Sequence, residues 1–269
     1  MSNVEVEWGA ISIVRLNRPS VLNALNRETL TLLIEELEKL GRNPDVEVVI
    51  LTATGDRAFC AGADLAEVQQ LETPAAVRVY FGLITSAMAA LEQLPQPTIG
   101  AAFGYTLAGG MGLAASVDLL VAAEDTRFGL PEMKVGLYPM IVTAPIERLI
   151  GPRRTLELSL TGRQIDVRTA ESWGLVNRVV PAGQALIGAQ ELADEIARGS
   201  PVIARMGKEG WRLARDMGSH EAREALKNLV SLVALTADAR EGMAAFQEKR
   251  APRWPSKRPD DQEGRGPES

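Results

Sequence analysis

The sequence predicts an α/β fold whose second half is mostly helical. Short β-rich runs alternate with helical patterns through the first half of the chain, whereas helical patterns dominate after Pro152. Strands separated by helices need crossover connections, and these connections produce a parallel sheet. With 269 residues and 46% hydrophobic residues, the chain is long enough to bury a large core.

The first half contains a predicted hairpin, short buried strands and two long helices. The hairpin is predicted where two β-rich runs flank Gly9, at residues 4–8 and 11–16. The buried strands are continuous apolar runs: residues 46–52, 98–102 and 118–122. The helices have helical periodicity and stop at Gly or Pro residues: residues 28–40 and 74–94.

The second half is predicted to be helical, with residues 176–180 as the one interrupting strand. The helical patterns cover residues 153–160, 168–173, 183–198, 201–217, 219–235 and 237–249. We therefore divide the chain into an α/β core, a helical C-terminal region and a tail that we expect to be disordered. These parts are residues 1–199, 200–254 and 255–269.

Composition excludes several classes of protein. The net charge of −6 argues against general nucleic-acid binding. Cys60 is the single cysteine, which excludes an intramolecular disulfide and is typical of a reducing compartment; His220 is the single histidine, which argues against a His/Cys zinc site. We also expect no transmembrane run and no signal peptide. These observations favour a cytoplasmic enzyme without a metal site and without membrane contact.

Two segments resemble the two halves of one anion-binding site. Residues 59–65 and 104–113 each place small residues where a loop turns into a helix, so unpaired backbone N–H groups can face a ligand. Two such donors on one carbonyl oxygen would hold an enolate or a tetrahedral oxyanion. Asp64 and Glu67 have the spacing of a capping box, and an acid, Glu132, follows later.

A nicotinamide cofactor is the alternative interpretation of the second segment. Gly110, Gly112 and Ala115 match the dinucleotide fingerprint G-x-G-x-x-A, and Glu132 follows at about the distance of a ribose-binding acid. However, the fingerprint requires the glycines to follow a strand directly, and residues 103–108 intervene. The fingerprint also leaves the first segment unexplained, so this alternative is disfavoured.

A set of ordered motifs then identifies a family resemblance. They are Asn17-Arg-Pro, Leu22-Asn-Ala-Leu-Asn, Ala58-Phe-Cys-Ala-Gly-Ala-Asp-Leu, Ala108-Gly-Gly, Phe128-Gly-Leu-Pro-Glu, Thr161-Gly-Arg, Gly174-Leu-Val-Asn-Arg-Val-Val-Pro and Phe246-Gln-Glu-Lys-Arg-Ala-Pro. In this order they resemble the crotonase (enoyl-CoA hydratase/isomerase) superfamily. The resemblance runs from about residue 4 to Trp254.

The resemblance implies a crotonase-like spiral of ββα units with a C-terminal helical trimerisation region, and a homotrimer or dimer of trimers. It implies an acyl-CoA thioester as substrate, with coenzyme A as part of that substrate and no other cofactor. The backbone N–H groups of Ala63 and Gly109 would form the oxyanion hole. Substrate contacts are expected from Ala24, Ala61, Gly62, Asp64, Leu65 and Gly110. Lys208 is either a CoA-phosphate ligand or, more simply, a solvated helix lysine.

The chain departs from the hydratase pattern at two positions. Hydratases of the family resemble one another in having two glutamates; the second aligns with Glu132, but the first aligns with Gly112. Met140 stands where a water-positioning glycine amide is expected. Tyr105 and Tyr138 are the remaining polar candidates near the pocket, and residues 71–94 predict an apolar wall that suits an apolar acyl chain.

These departures leave the reaction open. A single glutamate, acting as general acid/base on a thioester enolate, resembles members that shift a double bond, and it weakens the two-carboxylate hydration mechanism. Hydration, isomerisation, hydrolysis and acyl-CoA binding without catalysis therefore remain as alternatives.

Overall fold

A computed structural model describes residues 2–258 of the chain. Its strands are β1 (Val4–Glu7), β2 (Ile11–Leu16), β3 (Val48–Ala53), β4 (Ala58–Cys60), β5 (Thr98–Ala102), β6 (Tyr105–Leu107), β7 (Leu119–Ala123), β8 (Arg127–Gly129), β9 (Gln164–Asp166) and β10 (Arg178–Val180). Its helices are α1 (Arg27–Arg42), α2 (Leu65–Val68), α3 (Pro74–Gln93), α4 (Gly109–Ala115), α5 (Thr143–Ile150), α6 (Pro152–Thr161), α7 (Val167–Ser172), α8 (Ala185–Ala197), α9 (Pro201–Ala214), α10 (Ser219–Val233) and α11 (Ala237–Glu248). The predicted α/β class is confirmed.

The larger sheet has the strand order β1-β2-β3-β5-β7-β10. The predicted hairpin is present, because β1 and β2 pair antiparallel, and every later pair in this sheet is parallel. Successive residues of β3 point to opposite faces. Val49 and Leu51 join the core under α1 and α3, whereas Val48 and Ile50 join the core under α8. Burial on both faces explains why β3 is continuously apolar.

The smaller sheet, in the order β4-β6-β8-β9, was not predicted. Its strands have three residues each, too few to show an alternating pattern in the sequence. The prediction of one strand in the helical half is therefore wrong, because β9 also lies there and pairs antiparallel with β8. This sheet matters for function, because β4 and β6 lead directly into the two small-residue segments.

Helix α3 is long and apolar for a surface-facing element. Among residues 2–258 it is the one helix whose length and composition would allow it to cross a bilayer. It has 20 residues, and its most apolar 18-residue window has a mean hydropathy of 1.4. The prediction that no run reaches this length is therefore wrong. In the fold, α3 begins at a Thr73 side-chain cap and buries Tyr80, Ile84 and Leu91 against the core that α1 also covers.

The last described residues are held against the body. The carboxylate of Asp238 accepts hydrogen bonds from the hydroxyls of Ser200 and Ser256. Lys257 is buried, where its ammonium contacts the Ala197 carbonyl and Glu47. The first four residues of the tail that we expected to be disordered thus belong to the ordered structure; residues 259–269 lie outside the described part.

Candidate active site

The two small-residue segments meet in the structure, as the sequence predicted. Gly62 follows β4 with φ +100°, and a Cβ built on it would lie 2.6 Å from the Ala108 Cβ and 3.1 Å from the Gly109 nitrogen. A Cβ on Gly109 would in turn lie 3.5 Å from the Gly62 Cα. The approach therefore requires a glycine at residue 62, whereas a Cβ on Gly109 would make an ordinary van der Waals contact. It brings the Ala63 and Gly109 backbones to one cavity.

The amides of Ala63 and Gly109 are available to a ligand. The Leu25 N–H donates to the Gly62 carbonyl (2.8 Å), and the Leu25 carbonyl accepts from the Asp64 N–H (3.1 Å). These two bonds lie on either side of Ala63 and leave its N–H without a partner in the described chain. Gly109 is the first residue of α4, so its N–H has no partner in the helix. Within residues 2–258 neither amide donates a hydrogen bond to the protein, and both residues line the cavity.

Ala108 holds the second segment in a strained conformation. Its φ of 50° and ψ of −124° lie in a region that non-glycine residues rarely adopt, at a cost of about 1–3 kcal/mol. Its N–H donates to the Gly129 carbonyl (2.9 Å), and its carbonyl accepts from the Gly112 N–H (3.0 Å). These bonds to β8 and α4 maintain the turn that presents the next amide, Gly109, to the cavity.

The cavity has a volume of about 740 Å³ and is mostly apolar. Residues on both small-residue segments, on α3 and on the connection before α5 line it: Ala61, Ala63, Leu65, Phe81, Ile84, Ala108, Gly109, Pro131, Glu132, Lys134, Val135, Gly136, Leu137, Tyr138, Pro139, Met140, Ile141 and Val142. The apolar wall predicted on residues 71–94 is present as Phe81 and Ile84. A cavity of this size and character suits an apolar organic ligand.

Glu132 is the one carboxylate among the cavity-lining residues of the described chain. It lies in the 3-10 turn Pro131–Val135, which is closed by a hydrogen bond from the Leu137 N–H to the Glu132 carbonyl (3.0 Å). Its Oε2 atom is buried and has no hydrogen-bond partner in the described structure. Burial raises the pKa of this carboxyl from 4.5 to about 7. Glu132 can therefore exchange a proton near neutral pH.

The secondary candidates divide between the cavity and the surface. Tyr138 and Met140 line the cavity, whereas Tyr105 is 42% exposed on β6 and is absent from the lining. Tyr105 is thus an exposed residue outside the described lining, and its role at the pocket stays a prediction. The Met140 N–H donates to the Tyr138 carbonyl (2.8 Å), so it is not free to position a water.

Of the predicted substrate contacts, Ala61 and Leu65 line the cavity, and four other residues do not. The backbone of Gly62 packs on residues 108–109, and Gly110 is buried against the Cys60 carbonyl. Ala24 and Asp64 instead bind Arg18, whose Nη1 donates to the Ala24 carbonyl (2.5 Å) and to Asp64 Oδ2 (2.9 Å). In the described chain these four residues shape the site rather than line it.

Sequence reasoning missed the polar contacts that position the first segment. Asn23 is buried and donates to the carbonyls of Thr54 (3.0 Å) and Ala58 (2.8 Å). The buried Tyr80 hydroxyl donates to the Leu25 carbonyl (2.5 Å) and accepts from the Asp64 N–H (2.9 Å). The motifs at residues 17–19 and 22–26 contained the signal, since Asn23 lies in them.

The predicted capping box at α2 is only half formed. Asp64 Oδ1 accepts from the N–H groups of Ala66 (3.2 Å) and Glu67 (3.3 Å), which makes it the N-cap. The Glu67 carboxylate does not return to Asp64; it accepts from the Arg27 N–H (2.9 Å) and pairs with the Arg27 guanidinium (3.3 Å). Asp64 therefore combines a helix cap with the ion pair to Arg18.

This double role gives a testable difference between two substitutions. Asp64→Asn keeps a cap acceptor and loses the ion pair, whereas Asp64→Ala loses both. We expect Asp64→Ala to lower the free energy of unfolding by about 1 kcal/mol more than Asp64→Asn, the usual worth of a cap. Urea denaturation at fixed protein concentration measures both values. Equal losses would show that the cap contributes nothing here.

Lys208 is not a solvated lysine, because its side chain is buried and paired within the described chain. Its side chain is 9% exposed, and its ammonium lies 2.6 Å from Asp118 Oδ2 and donates to the Gln96 carbonyl (2.9 Å). Burial lowers its pKa, against the raising effect of Asp118. The prediction of a solvated lysine is wrong, because the lysine fastens α9 to Gln96 and Asp118, which lie just before β5 and β7. The CoA-phosphate role stays a prediction.

The glycines that match the dinucleotide fingerprint are explained by close packing of α4 against its neighbours. Gly110 contacts the backbone of Cys60, and a Cβ on Gly112 would meet Val142 and Met88. The two glycines are thus buried, and no phosphate could approach them. Cys60 is itself buried, and burial raises its pKa to about 12, so it is no nucleophile. Within residues 2–258, no group of three His, Cys, Asp or Glu side chains could hold a metal ion.

Comparison with known proteins agrees with this geometry. The family model described as enoyl-CoA hydratase/isomerase matches residues 7–257. A Mycobacterium bovis protein named "Probable enoyl-CoA hydratase" is 39% identical over 245 residues, which are 91% of this chain and 94% of that protein. Crystal structures of enoyl-CoA hydratases superpose with a TM-score of 0.90 for Bacillus anthracis (35% identity, 95% of this chain and 100% of that one) and 0.92 for Mycobacterium smegmatis (29% identity, 94% and 99%). The chain therefore belongs to the enoyl-CoA hydratase/isomerase family, within the crotonase superfamily.

Proposed function

We propose that this enzyme binds an acyl-CoA thioester, stabilises its enolate at the amides of Ala63 and Gly109, and uses Glu132 as a single general acid/base. The reaction best supported is the shift of a double bond from the β,γ to the α,β position. One observation carries this proposal: the cavity lining formed by residues 2–258 holds one carboxylate, with a buried oxygen and a pKa of about 7. A single proton shuttle suits a reaction that removes and returns one proton.

In this proposed reaction the two amides and Glu132 have separate roles. The two amides hold the thioester oxygen and stabilise the negative charge that develops when a proton leaves Cα, a contribution of about 3–4 kcal/mol per donor. The Glu132 carboxylate takes that Cα proton, the electrons delocalise into a dienolate, and the Glu132 carboxylic acid returns the proton at Cγ. The product is the 2-enoyl isomer, with no atoms gained or lost. The mostly apolar lining offers few hydrogen-bond partners to water beside the enolate.

Hydration of a 2-enoyl-CoA is the second candidate, because many similar proteins are named enoyl-CoA hydratases. It requires a group that takes a proton from water as the oxygen bonds to Cβ. Gly112 supplies no side chain for this step, and the Met140 N–H is already bonded to Tyr138. The same residues weaken a hydrolytic reaction, which also needs an activated water.

A panel of esters separates these reactions. The purified protein is incubated with 3-enoyl- and 2-enoyl-CoA esters of equal chain length, and the products are identified by mass spectrometry. We expect conversion of 3-enoyl to 2-enoyl esters, at least tenfold faster than addition of water. Rapid formation of 3-hydroxyacyl-CoA would favour hydration, release of free CoA would favour hydrolysis, and binding without conversion would indicate a non-catalytic scaffold.

The raised pKa of Glu132 also predicts a pH-dependent stability. The folded state binds this proton more tightly than the unfolded state, whose pKa is near 4.5, so its contribution is complete below about pH 4.5 and is lost as pH rises through about 7. Glu132→Gln removes this dependence. Its stability relative to the parent should therefore be near zero at pH 4 and should rise by about 1–3 kcal/mol by pH 8. Urea denaturation across this range tests the trend, and a constant difference would contradict it.

We propose further that the chain assembles as a homotrimer or a dimer of trimers. The C-terminal helices and the turn between α10 and α11 expose large apolar side chains, of which Trp211, Val230, Leu235 and Phe246 are 59–85% exposed. Such a surface is typical of an interface. Light scattering coupled to gel filtration measures the mass against 29.0 kDa per chain, and a monomer at micromolar concentration would contradict this assembly.

A further inference from the structure

The cavity wall contains a close contact between α4 and the start of α5. Gly112 on α4 is fully buried, and Val142 is 3% exposed directly before α5. A Cβ built on Gly112 would lie 2.5 Å from Val142 Cγ1, 3.2 Å from Val142 Cβ and 2.9 Å from Met88 Sδ. Real Cβ atoms do not come this close to other atoms, so any side chain at residue 112 would have to displace a neighbour.

The two neighbours differ in how easily they can move. Met88 is an unbranched side chain with several rotatable bonds, and its sulfur can swing aside. Val142 is stiff at χ1, and rotation of its methyl groups would leave its Cβ in place. Its backbone is held by α5, since the Val142 carbonyl accepts from the Ile146 N–H (3.4 Å). Val142 is therefore the neighbour that decides whether a side chain fits.

We propose that Val142 is a specificity-determining residue: its side chain fills the space toward which a side chain on residue 112 would start, so that it acts together with Gly112 to keep a second carboxylate out of this wall. This proposal rests on the proposed function, since it explains why one carboxylate acts alone. Val142 lies between α4 and the cavity, in which the proposed acyl group would be bound. Gly112 and Val142 pack directly against each other, with the residue that lacks a side chain opposite the branched one.

The surroundings agree with an apolar, water-poor wall. Ile84 and Ile141 also line the cavity, and Met88 is buried behind it. A buried water needs two to four polar partners, and these side chains offer none. A second carboxylate here would thus need both the space occupied by Val142 and a water that this wall does not now hold.

A double-mutant cycle tests the proposal. The four proteins are the parent, Gly112→Glu, Val142→Gly and the combination of both substitutions. Thermal midpoints are measured at fixed protein concentration, and hydration of crotonyl-CoA is followed for each protein. A fifth protein adds Glu132→Gln to the combination and shows whether both carboxylates are needed.

We expect strong coupling in stability. Gly112→Glu alone overpacks the wall and should lower Tm by roughly 5–10 °C. Val142→Gly alone leaves a cavity and a flexible residue, and it should also lower Tm. Combined, the two changes should cost clearly less than the sum of their separate shifts, because the new side chain occupies the vacated space.

We also expect the combination, and not Gly112→Glu alone, to hydrate crotonyl-CoA at least tenfold faster than the parent. In this reaction the water oxygen bonds to Cβ, the introduced carboxylate takes a proton from that water, and Glu132 gives a proton to Cα. Adding Glu132→Gln should abolish the gain.

Additive Tm shifts, or coupling without faster hydration, would overturn the proposal. The Tm cycle does not depend on any activity, so it stays informative if the proposed function fails. That failure would appear separately, as unchanged turnover after Glu132→Gln in the otherwise unaltered parent.

Discussion

Replacing Glu132 with Gln is expected to lower kcat for isomerisation of 3-enoyl-CoA by on the order of 10²- to 10⁴-fold, with little change in KM. Glutamine preserves the shape of the side chain and cannot carry a proton between Cα and Cγ. In the proposed mechanism the substrate is bound by the amides of Ala63 and Gly109 and by the apolar wall, and this substitution leaves both unchanged. Steady-state kinetics at pH 8 gives both constants.

The pH profile separates a catalytic role of Glu132 from a structural one. Glu132 must be ionised to accept the Cα proton, so kcat/KM of the parent should rise with pH through about 7, the pKa that burial produces. The residual activity of Glu132→Gln should lack this rise. Glu147→Gln, on the exposed surface of α5, is the matched control and should behave like the parent. An unchanged rate for Glu132→Gln would contradict the proposed mechanism.

Segments with a long, regular pattern could be predicted from the sequence. Helix α1 is an example: its buried leucines recur at helical spacing, and Asn26 caps it by accepting from the Thr29 N–H (2.9 Å). The strand β3 is another, because burial on both faces leaves a continuous apolar run. The three-residue strands β4, β6, β8 and β9 could not be predicted, since their pairing depends on a sheet that forms from distant parts of the chain.

The candidate site was predictable in its backbone and less so in its side chains. Small residues marked both segments around Ala63 and Gly109, and the family motifs pointed to Glu132. The contacts that hold these segments in place join residues far apart, such as Arg18 and Asp64, which are separated by 46 positions. Lys208 shows the same limit: its helix pattern suggested exposure, and only the tertiary fold places Asp118 against it.

The convergence of the two segments requires Gly62, and Gly62→Ala is expected to lower the free energy of unfolding by about 2–5 kcal/mol. The φ of +100° is unfavourable for any residue with a Cβ, at about 1–2 kcal/mol. The added methyl would also lie 2.6 Å from the Ala108 Cβ and 3.1 Å from the Gly109 nitrogen, and such overpacking costs about 1–3 kcal/mol. Urea denaturation at fixed protein concentration measures the loss.

The same substitution should lower kcat/KM by on the order of 10²-fold, because the clash pushes the Ala63 and Gly109 amides apart and one donor is then misplaced at the thioester oxygen. Gly183→Ala is the matched control: its φ is +78°, but no atom of residues 2–258 lies within 4 Å of the added Cβ, and Gly183 is not among the lining residues of the cavity. That variant should lose about 1–2 kcal/mol and keep its activity. If Gly62→Ala behaved like Gly183→Ala, crowding between the segments would have no part in the site. A third outcome is that Gly62→Ala loses activity but is destabilised no more than Gly183→Ala. In that case the contact of Gly62 with Ala108 and Gly109 would be established as the feature that aligns the two donors.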